Sequence, residues 1–242
     1  GIRASLSCDI GDAVTNDLVV DYFEADEKNI VPVLDYVDPS FPVLFPAGVL
    51  VGPTLDQATG FNGAWDLVLA NNPSYTAGGL VGAAANQRAR SPYEVETQAL
   101  SGYEAENTLI TNTTIIDVGE LGELRNIIGY ADFEYLSGYD PFGSPFVIFN
   151  NDVFQNEYEG FTEELQLYGT AEALEYTVGV YFSAEESNAA NESPILDLGP
   201  VIPAARQFGR YAIENTSYAG YAQLTYRLNA KLALTLGGRL SR

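Results

Sequence analysis

Acidic side chains are the most abundant candidates for chemistry in this chain. Two adjacent pairs, Glu163-Glu164 and Glu185-Glu186, have the residue type that general acid–base catalysis or divalent-cation binding requires. Successive side chains of a strand point to opposite faces, so a pair placed on a strand is split between two environments. We therefore interpret both pairs as separated across a sheet or as lying on a solvated rim, and we predict no catalytic residue among them.

Composition excludes most other site chemistry. The chain has no histidine, which removes the Ser-His-Asp triad, the Cys-His pair and the usual histidine-ligated zinc or iron site. Cys8 is the sole cysteine, so it forms neither an intrachain disulfide nor a thiolate metal site. The glycine-rich segment 78–82 lacks the Gly-Lys-Ser/Thr ending of a phosphate-binding loop. We predict no enzyme activity, no metal site and no cofactor.

Charge and hydrophobicity narrow the class of protein further. The net charge is −22 and only two residues are lysines, Lys28 and Lys231, which argues against a nucleic-acid partner. The chain is 46% hydrophobic with 16 tyrosines and 12 phenylalanines, so it is not a disordered acidic chain. Its longest apolar run, 43–51, contains Pro46 and is far shorter than the ~18 residues of a membrane-spanning helix. If this chain crosses a membrane, it crosses as β-strands.

Apolar and polar residues alternate with period two over much of the chain. In 216–228 one phase is mostly apolar and the other is polar, and the same pattern resumes in 232–240 after a turn at Asn229-Ala230. Residues 213–242 are therefore predicted to form a β-hairpin. Three further hairpins give about eight strands: 1–10 with 18–24, 107–117 with 123–135, and 161–168 with 174–184.

Short and long connections alternate between these strands. The predicted long connections are 25–103, 136–158 and 187–212, whereas the hairpin turns take a few residues. This pattern is typical of a transmembrane β-barrel with short periplasmic turns and long extracellular loops, and its strands need ~9–11 residues to cross the hydrocarbon. We predict an all-β fold of antiparallel β-hairpins from such a barrel; the alternative is a half-buried soluble sheet. Several aromatics near strand ends are expected to form interfacial girdles: Tyr22, Phe23, Tyr135, Phe161, Phe182, Tyr218 and Tyr226.

The segment 25–103 is interpreted as one long outward loop insertion, and 104–242 as three β-hairpins, within a single barrel segment that covers 1–242. Prolines forbid a regular helix early in the insertion, but 64–70 and 80–88 are predicted to form short helices. Its aromatic residues either contact a ligand or, as we favour, pack the loop onto itself. These residues are Phe41, Phe45, Phe61, Trp65 and Tyr75.

Four stretches resemble one family of membrane proteins. The segment Asn112-Thr113-Thr114 followed by LRNIIGYADF at 124–133 is similar to a strand pair of TonB-dependent receptors, the large outer-membrane transporters. The segment 137–145 resembles a loop of that family, and FTEELQL at 161–167 resembles one of its strands. YAGYAQLTY at 218–226 with LTLGGR at 234–239 is similar to a hairpin that is typical of the barrel.

This resemblance implies a 22-stranded barrel closed by an N-terminal plug. It also implies import of siderophores, cobalamin, carbohydrates or similar ligands with energy relayed by TonB. The implied partners are outer-membrane lipid, TonB through a plug that this sequence lacks, and an unidentified small-molecule ligand that no residue here specifies. The implied location is the bacterial cell outer membrane.

Both ends of the sequence read as the interior of a strand, so we expect a fragment of a longer barrel domain. Such a fragment has two open strand edges, which pair with any available strand, including one from another copy. The alternative hypothesis is therefore a shed or proteolysed fragment that self-assembles into extracellular β-structured, amyloid-like filaments. The charge of −22 opposes this assembly.

Overall fold

The computed structural model describes residues 1–28, 32–36, 43–44, 50–51, 79–97, 102–145, 151–195 and 205–242. It contains ten strands, one α-helix and one 3₁₀ turn within these ranges. The strands are β1 (Ile2–Ile10), β2 (Val14–Glu27), β3 (Val43–Leu44), β4 (Leu50–Val51), β5 (Gly102–Asp117), β6 (Glu123–Tyr139), β7 (Asn151–Ala171), β8 (Leu174–Ile195), β9 (Ala205–Asn229) and β10 (Leu232–Ser241). The helix α1 covers Gly79–Arg88 and the 3₁₀ turn covers Gly119–Leu121.

Eight of the strands form one antiparallel sheet. Their order is β1-β2-β5-β6-β7-β8-β9-β10, so each strand lies beside its neighbour in sequence once the β3-β4 ribbon is set aside. The predictions of an all-β fold and of about eight antiparallel strands are confirmed. The sheet does not close on itself in the described residues, and β1 and β10 are its two edges.

The strands continue well past the bounds that the alternation predicts. β6 runs to Tyr139 and β7 begins at Asn151, while β8 runs to Ile195 and β9 begins at Ala205. Most of 136–158 and 187–212 is therefore paired strand, and the prediction of long loops there is wrong in extent. The physical reason is that polar residues occupy both faces of these extensions, so the sequence shows no period of two there. The backbone hydrogen bonds nevertheless pair the extensions with their neighbouring strands.

Turn length still alternates as predicted. The connections 11–13, 118–122, 172–173 and 230–231 lie at one end of the sheet, which we call the turn end. The strand ends that adjoin 28–101, 140–150 and 196–204 lie at the opposite end, which we call the loop end. Because the strands are antiparallel neighbours, the strand ends joined by short turns share one end of the sheet and those joined by longer connections share the other.

Helix α1 confirms the prediction for 80–88, whereas 64–70 lies outside the described residues. Its Ala-rich sequence favours helix, Arg88 lies in the last turn beside the negative end of the helix dipole, and Pro92 follows shortly after. Among the residues that the structure describes, no helix is both long and apolar enough to cross a bilayer.

Candidate functional site

The strand register sorts the side chains of the sheet into two faces. One row crosses seven strands and places its side chains on the same face. It comprises Asn16, Thr114, Asn126, Leu165, Val180, Gly220 and Leu240. Every second residue along each strand, counted from this row, places its side chain on the same face, which we call the apolar face. The residues between them place their side chains on the opposite face, which we call the polar face.

The apolar face is uncovered. The residues Val180, Leu236 and Leu240 expose 57%, 65% and 82% of their surface, and many other large apolar residues of this face are exposed. Soluble proteins rarely leave a contiguous apolar surface of more than a few hundred Å². This face therefore needs an apolar environment that the described part of the chain does not supply.

Aromatic rings border the apolar face at both ends. Toward the loop end, the ring centroids of Phe161 and Phe182 are 6.2 Å apart and those of Phe182 and Tyr218 are 5.2 Å apart. Tyr22 and Tyr130 continue this line on β2 and β6. Tyr176 and Tyr226 lie on the same face toward the turn end. Aromatic girdles of this kind mark the two interfaces of a membrane barrel.

Two of the predicted girdle residues lie elsewhere. Phe23 and Tyr135 are on the polar face, because each is an odd number of residues from Tyr22 or Tyr130 on its own strand. The expectation that they line the girdle is wrong. Tyr130 and Tyr176 are the aromatics that sequence reasoning missed. The cross-strand register identifies the face of Tyr130, whereas the period of two already places Tyr176 on the face of Phe182.

A dense row of carboxylates begins directly beyond the loop-end girdle, on the same side of the sheet. Glu24, Glu106, Glu134 and Glu157 are cross-strand neighbours in one row. The adjacent row, nearer the girdle, holds Asp132, Glu159, Glu186 and Glu214. We call these two rows the acidic band. The change from apolar residues to carboxylates across one line of rings marks where an apolar environment ends and water begins.

Two contacts tie the girdle to the acidic band. The Tyr130 hydroxyl donates to a carboxylate oxygen of Glu159 at 3.3 Å, and that of Tyr22 donates to Glu24 at 3.4 Å. The rings of these tyrosines are apolar and their hydroxyls polar, as suits a boundary. A cleft of about 490 Å³ lies on the band, lined in part by Glu24, Glu106 and Glu134.

One group of polar side chains interrupts the apolar face. It comprises Asn16, Asn112, Thr114, Asn126 and Glu163, on four neighbouring strands, and we call it the polar ladder. The amide nitrogen of Asn16 donates to Asn112 Oδ1 at 3.1 Å and to Thr114 Oγ1 at 2.8 Å. The amide nitrogen of Asn126 donates to Glu163 Oε1 at 3.1 Å.

Some of the charges on the polar face form ion pairs. Arg3 lies 3.7 Å from Asp21 and Arg125 lies 3.9 Å from Glu123, nitrogen to oxygen, and Arg227 contacts Glu175. The Arg239 guanidinium sits 5.4 Å from the ring centre of Tyr181. Such exposed pairs add little stability, but they leave a hydrated wall rich in hydrogen-bonding groups.

One tyrosine ring on the polar face lies over a glycine of the neighbouring strand. The ring of Tyr221 on β9 covers Gly179 on β8, and its hydroxyl donates to Glu164 Oε1 on β7 at 2.5 Å. Any side chain at Gly179 would overlap this ring. One tyrosine thereby links three strands across a position where only glycine leaves room.

An aromatic cluster occupies the loop end of the polar face. Ring centroids are separated by 6.2 Å between Tyr103 and Tyr135, by 5.6 Å between Phe133 and Tyr135, and by 5.6 Å between Tyr135 and Phe154. Burial, and then the neighbouring Tyr103, raise the pKa of Tyr135 above the usual phenol value. The rings of this cluster offer apolar surface within a polar wall.

Loop segments pack together beyond this end of the sheet. The fully buried carboxylate of Asp140 accepts hydrogen bonds from Thr97 Oγ1 at 2.9 Å and from the backbone N–H groups of Phe142 and Ser144 at 2.8 Å. From α1, Gln87 donates to the Glu94 carbonyl at 2.7 Å. Asp140 thus joins 140–144 to the segment that follows α1.

The acid pairs are split across the sheet as expected. Glu163 is on the apolar face and Glu164 on the polar face, while Glu185 is on the polar face and Glu186 is in the acidic band. No group of three or more metal-ligating side chains in a suitable arrangement occurs among the described residues. The insertion aromatics Phe41, Phe45, Phe61, Trp65 and Tyr75 lie outside the described residues.

Comparison with known proteins gives one family and one structure. A family model described as "TonB dependent receptor-like, beta-barrel" matches residues 44–242. No curated protein matches. The siderophore receptor PiuA from Acinetobacter baumannii is a structural neighbour with 13% sequence identity and a TM-score of 0.43. The alignment covers 99% of this chain and 38% of PiuA, so the chain spans well under half of that receptor.

Proposed function

The chain belongs to the family of TonB-dependent receptor-like β-barrels, and we propose that it forms eight strands of the wall of an outer-membrane transporter. In this proposal the apolar face meets outer-membrane lipid and the polar face lines the lumen. The loop end faces the cell exterior and the turn end faces the periplasm. The family is one of receptors and transporters, which supports the absence of enzyme activity.

The observation that supports this proposal most directly is the distribution of charged residues along the apolar face. Between the two aromatic borders, Glu163 is the one charged residue that the described strands place on this face, whereas carboxylates crowd the rows beyond the loop-end girdle. A bilayer imposes that distribution, because ionised groups are costly in hydrocarbon and favourable in the headgroup region. A soluble partner would not require an uncharged band with aromatic borders at both ends.

The activity of the whole protein follows from the same proposal. We infer that strands beyond β1 and β10 complete the barrel, that a plug closes it, and that TonB supplies the energy for import. The ligand is a siderophore, cobalamin, a carbohydrate or a compound of similar size. The aromatic cluster around Tyr135 is placed to contact it on the way into the lumen.

Cysteine labelling of the full-length protein in outer-membrane vesicles tests the assignment of the two faces. In a Cys8→Ser background, Gln223→Cys and Leu224→Cys are adjacent on β9 and lie on opposite faces. We expect a charged maleimide to label the Gln223→Cys variant and a lipid-soluble maleimide to label the Leu224→Cys variant. Equal labelling of both variants by the charged reagent would overturn the proposal.

Filament formation remains the second candidate, motivated by the two open edges β1 and β10. Electron microscopy of the isolated chain distinguishes it from the transporter. Filaments with a repeat of ~4.8 Å along their axis support assembly. Detergent-bound single particles support the barrel segment.

A further inference from the structure

We propose that the polar ladder binds the headgroup of a periplasmic-leaflet phospholipid that carries a primary ammonium group next to its phosphate. With this headgroup bound, the headgroup layer lies closer to the loop end beside β2, β5 and β6 than beside β8 and β9, and the bilayer is locally thinner there. This inference rests on the proposed function, because it takes the apolar face to be the lipid face.

The ladder begins at the depth of the aromatic border that lies toward the turn end. Counted from that end, Tyr176 is the third residue of β8 and Tyr226 is the fourth of β9. Counted in the same way, Asn16 is the third residue of β2 and Asn126 is the fourth of β6. Amide side chains on β2 and β6 therefore take the positions that aromatic rings have on β8 and β9. Such rings lie at the level of the lipid headgroups, so headgroups are within reach of the ladder.

The height of the apolar face differs between the two parts of the wall. From Tyr218 to Leu228, β9 has no charged or amide side chain on this face. These ten residues span a height of ~26 Å at ~3.4 Å per residue and a tilt of ~40°, which matches the ~25 Å apolar band of such barrels. On β6, Asn126 and Asp132 are six residues apart, or ~16 Å in height. A bilayer beside a short apolar wall thins, because polar groups are costly in hydrocarbon.

The hydrogen bonds within the ladder leave amide donors for a ligand. Asn16 and Asn112 exchange two bonds of 3.1 Å, and Asn16 also donates to Thr114 Oγ1 at 2.8 Å. Asn112 and Asn126 each use one N–H in their bonds to described residues, and an amide has two. Lipid tails offer no acceptor for the second N–H, whereas the phosphate and ester oxygens of a headgroup do.

Glu163 selects the charge of the headgroup. It is exposed on the apolar face and accepts a hydrogen bond of 3.1 Å from Asn126. Asn126 pairs directly with Leu165, which is nearer the turn end than Glu163, so this bond draws the carboxylate toward the turn end. No arginine or lysine of the described residues forms an ion pair with Glu163.

A carboxylate so close to hydrocarbon requires a cation. A headgroup of the ethanolamine type supplies an ammonium group for Glu163 and a phosphate for the free amide N–H groups. An anionic headgroup that lacks the ammonium places its phosphate beside the carboxylate without compensation. The ladder therefore complements a zwitterion better than an anion.

Native mass spectrometry of the full-length protein in detergent tests this preference. The protein is titrated with phosphatidylethanolamine and with phosphatidylglycerol of the same acyl chains. We expect phosphatidylethanolamine to bind about fivefold more tightly, as one exposed ion pair allows. Glu163→Gln keeps an acceptor for Asn126 and should abolish the preference. The matched control Glu164→Gln changes the next residue of β7, on the polar face, and should preserve it.

Three outcomes of this titration would overturn the proposal. They are equal affinity of the natural protein for the two lipids, an undiminished preference in Glu163→Gln, and a protein partner that covers the ladder and excludes lipid.

Spin labels measure the local thickness of the bilayer. Ile128 on β6 and Val180 on β8 are both on the apolar face, as the sixth and seventh residues from the turn end. In a Cys8→Ser background, a nitroxide is attached to Ile128→Cys or to Val180→Cys in lipid vesicles. We expect a water-soluble relaxation agent to reach position 128 at least about twofold more than position 180. Equal accessibility of the two positions would contradict the proposal.

The labelling experiment at Gln223 and Leu224 separates the two levels of inference. If these positions label oppositely and both lipids bind equally, the lipid site is refuted and the barrel stands. Failure of that labelling would refute the barrel itself.

Discussion

The rings of Phe182 and Tyr218 lie 5.2 Å apart, centroid to centroid, at an interplanar angle of 47°, on the neighbouring strands β8 and β9. The two residues are direct cross-strand partners, and Phe161 extends the contact to β7. The loop-end girdle is therefore a connected line of rings across three strands. Its members stabilise one another through these ring contacts.

A double-mutant cycle measures this coupling. Phe182→Ala and Tyr218→Ala should each destabilise the full-length barrel, and together by less than the sum of the two. We expect a coupling energy of about 0.5–1.5 kcal/mol. Urea unfolding in lipid vesicles is the measurement. Phe182→Ala with Leu236→Ala is the control, because these residues lie two strands apart and should combine additively. Additivity of the aromatic pair would show that the rings act separately.

Gly122 is required by the turn between β5 and β6. Its φ of +92° is unfavourable for other residues, and a Cβ atom there would overlap the backbone at Tyr168 and Gly169 on β7. Gly122→Ala should destabilise the barrel by about 1–3 kcal/mol or more. Gly11→Ala is the matched control, since Gly11 has a φ of +68° but no atom within 4 Å of its Cβ position. The control should cost about 1 kcal/mol; equal losses would show that the overlap is relieved by movement of the turn.

The position of the Tyr221 ring over Gly179 predicts different stabilities for two glycine-to-alanine variants. Gly179→Ala should displace the Tyr221 ring and break its hydrogen bond to Glu164, because ring and methyl group cannot occupy the same space. Gly220→Ala should be nearly neutral, since nothing lies within 4 Å of its Cβ position. Unfolding free energies of the two variants give the comparison. Tyr221→Phe, combined with Gly179→Ala, should add little to the loss if both act on the same contact.

The hydrogen bonds of Asp140 predict that its replacement loosens residues 140–145. Asp140→Ala removes the acceptor of the Phe142 and Ser144 backbone N–H groups, and each buried donor left unpaired costs about 1–3 kcal/mol. Hydrogen exchange at 140–145 should accelerate at least tenfold while exchange in β7 and β8 stays unchanged. Asp140→Asn, which keeps one oxygen, should give an intermediate rate. Unchanged exchange in the alanine variant would show that other contacts hold this segment.

The sequence was sufficient for the strand count, the alternation of connection lengths and the apolar phase of β9 and β10. These follow from period two, which a sheet imposes wherever one face is apolar and the other polar. The helix at 80–88 follows from alanine-rich composition bounded by Pro92. The split of Glu163 from Glu164 follows from strand geometry alone.

Features that depend on register between distant segments were not predictable. The strand extensions around Glu157 and Glu186 have polar residues on both faces and no period to read, so they look like loop. The acidic band and the polar ladder require knowing which residue of β5 faces which residue of β6 or β7. A shift of one residue in that register moves every side chain to the opposite face.

The order of the strands in the sheet also determines where the chain can gain residues during evolution. Consecutive strands pair with each other, and only the β2–β5 pair must close across the long segment between Glu27 and Gly102. The entropy of loop closure rises slowly, by about 0.6 kcal/mol for each doubling of length. New residues can therefore accumulate in that connection at little thermodynamic cost. The sequence of this connection is free to diversify while the paired strands stay fixed.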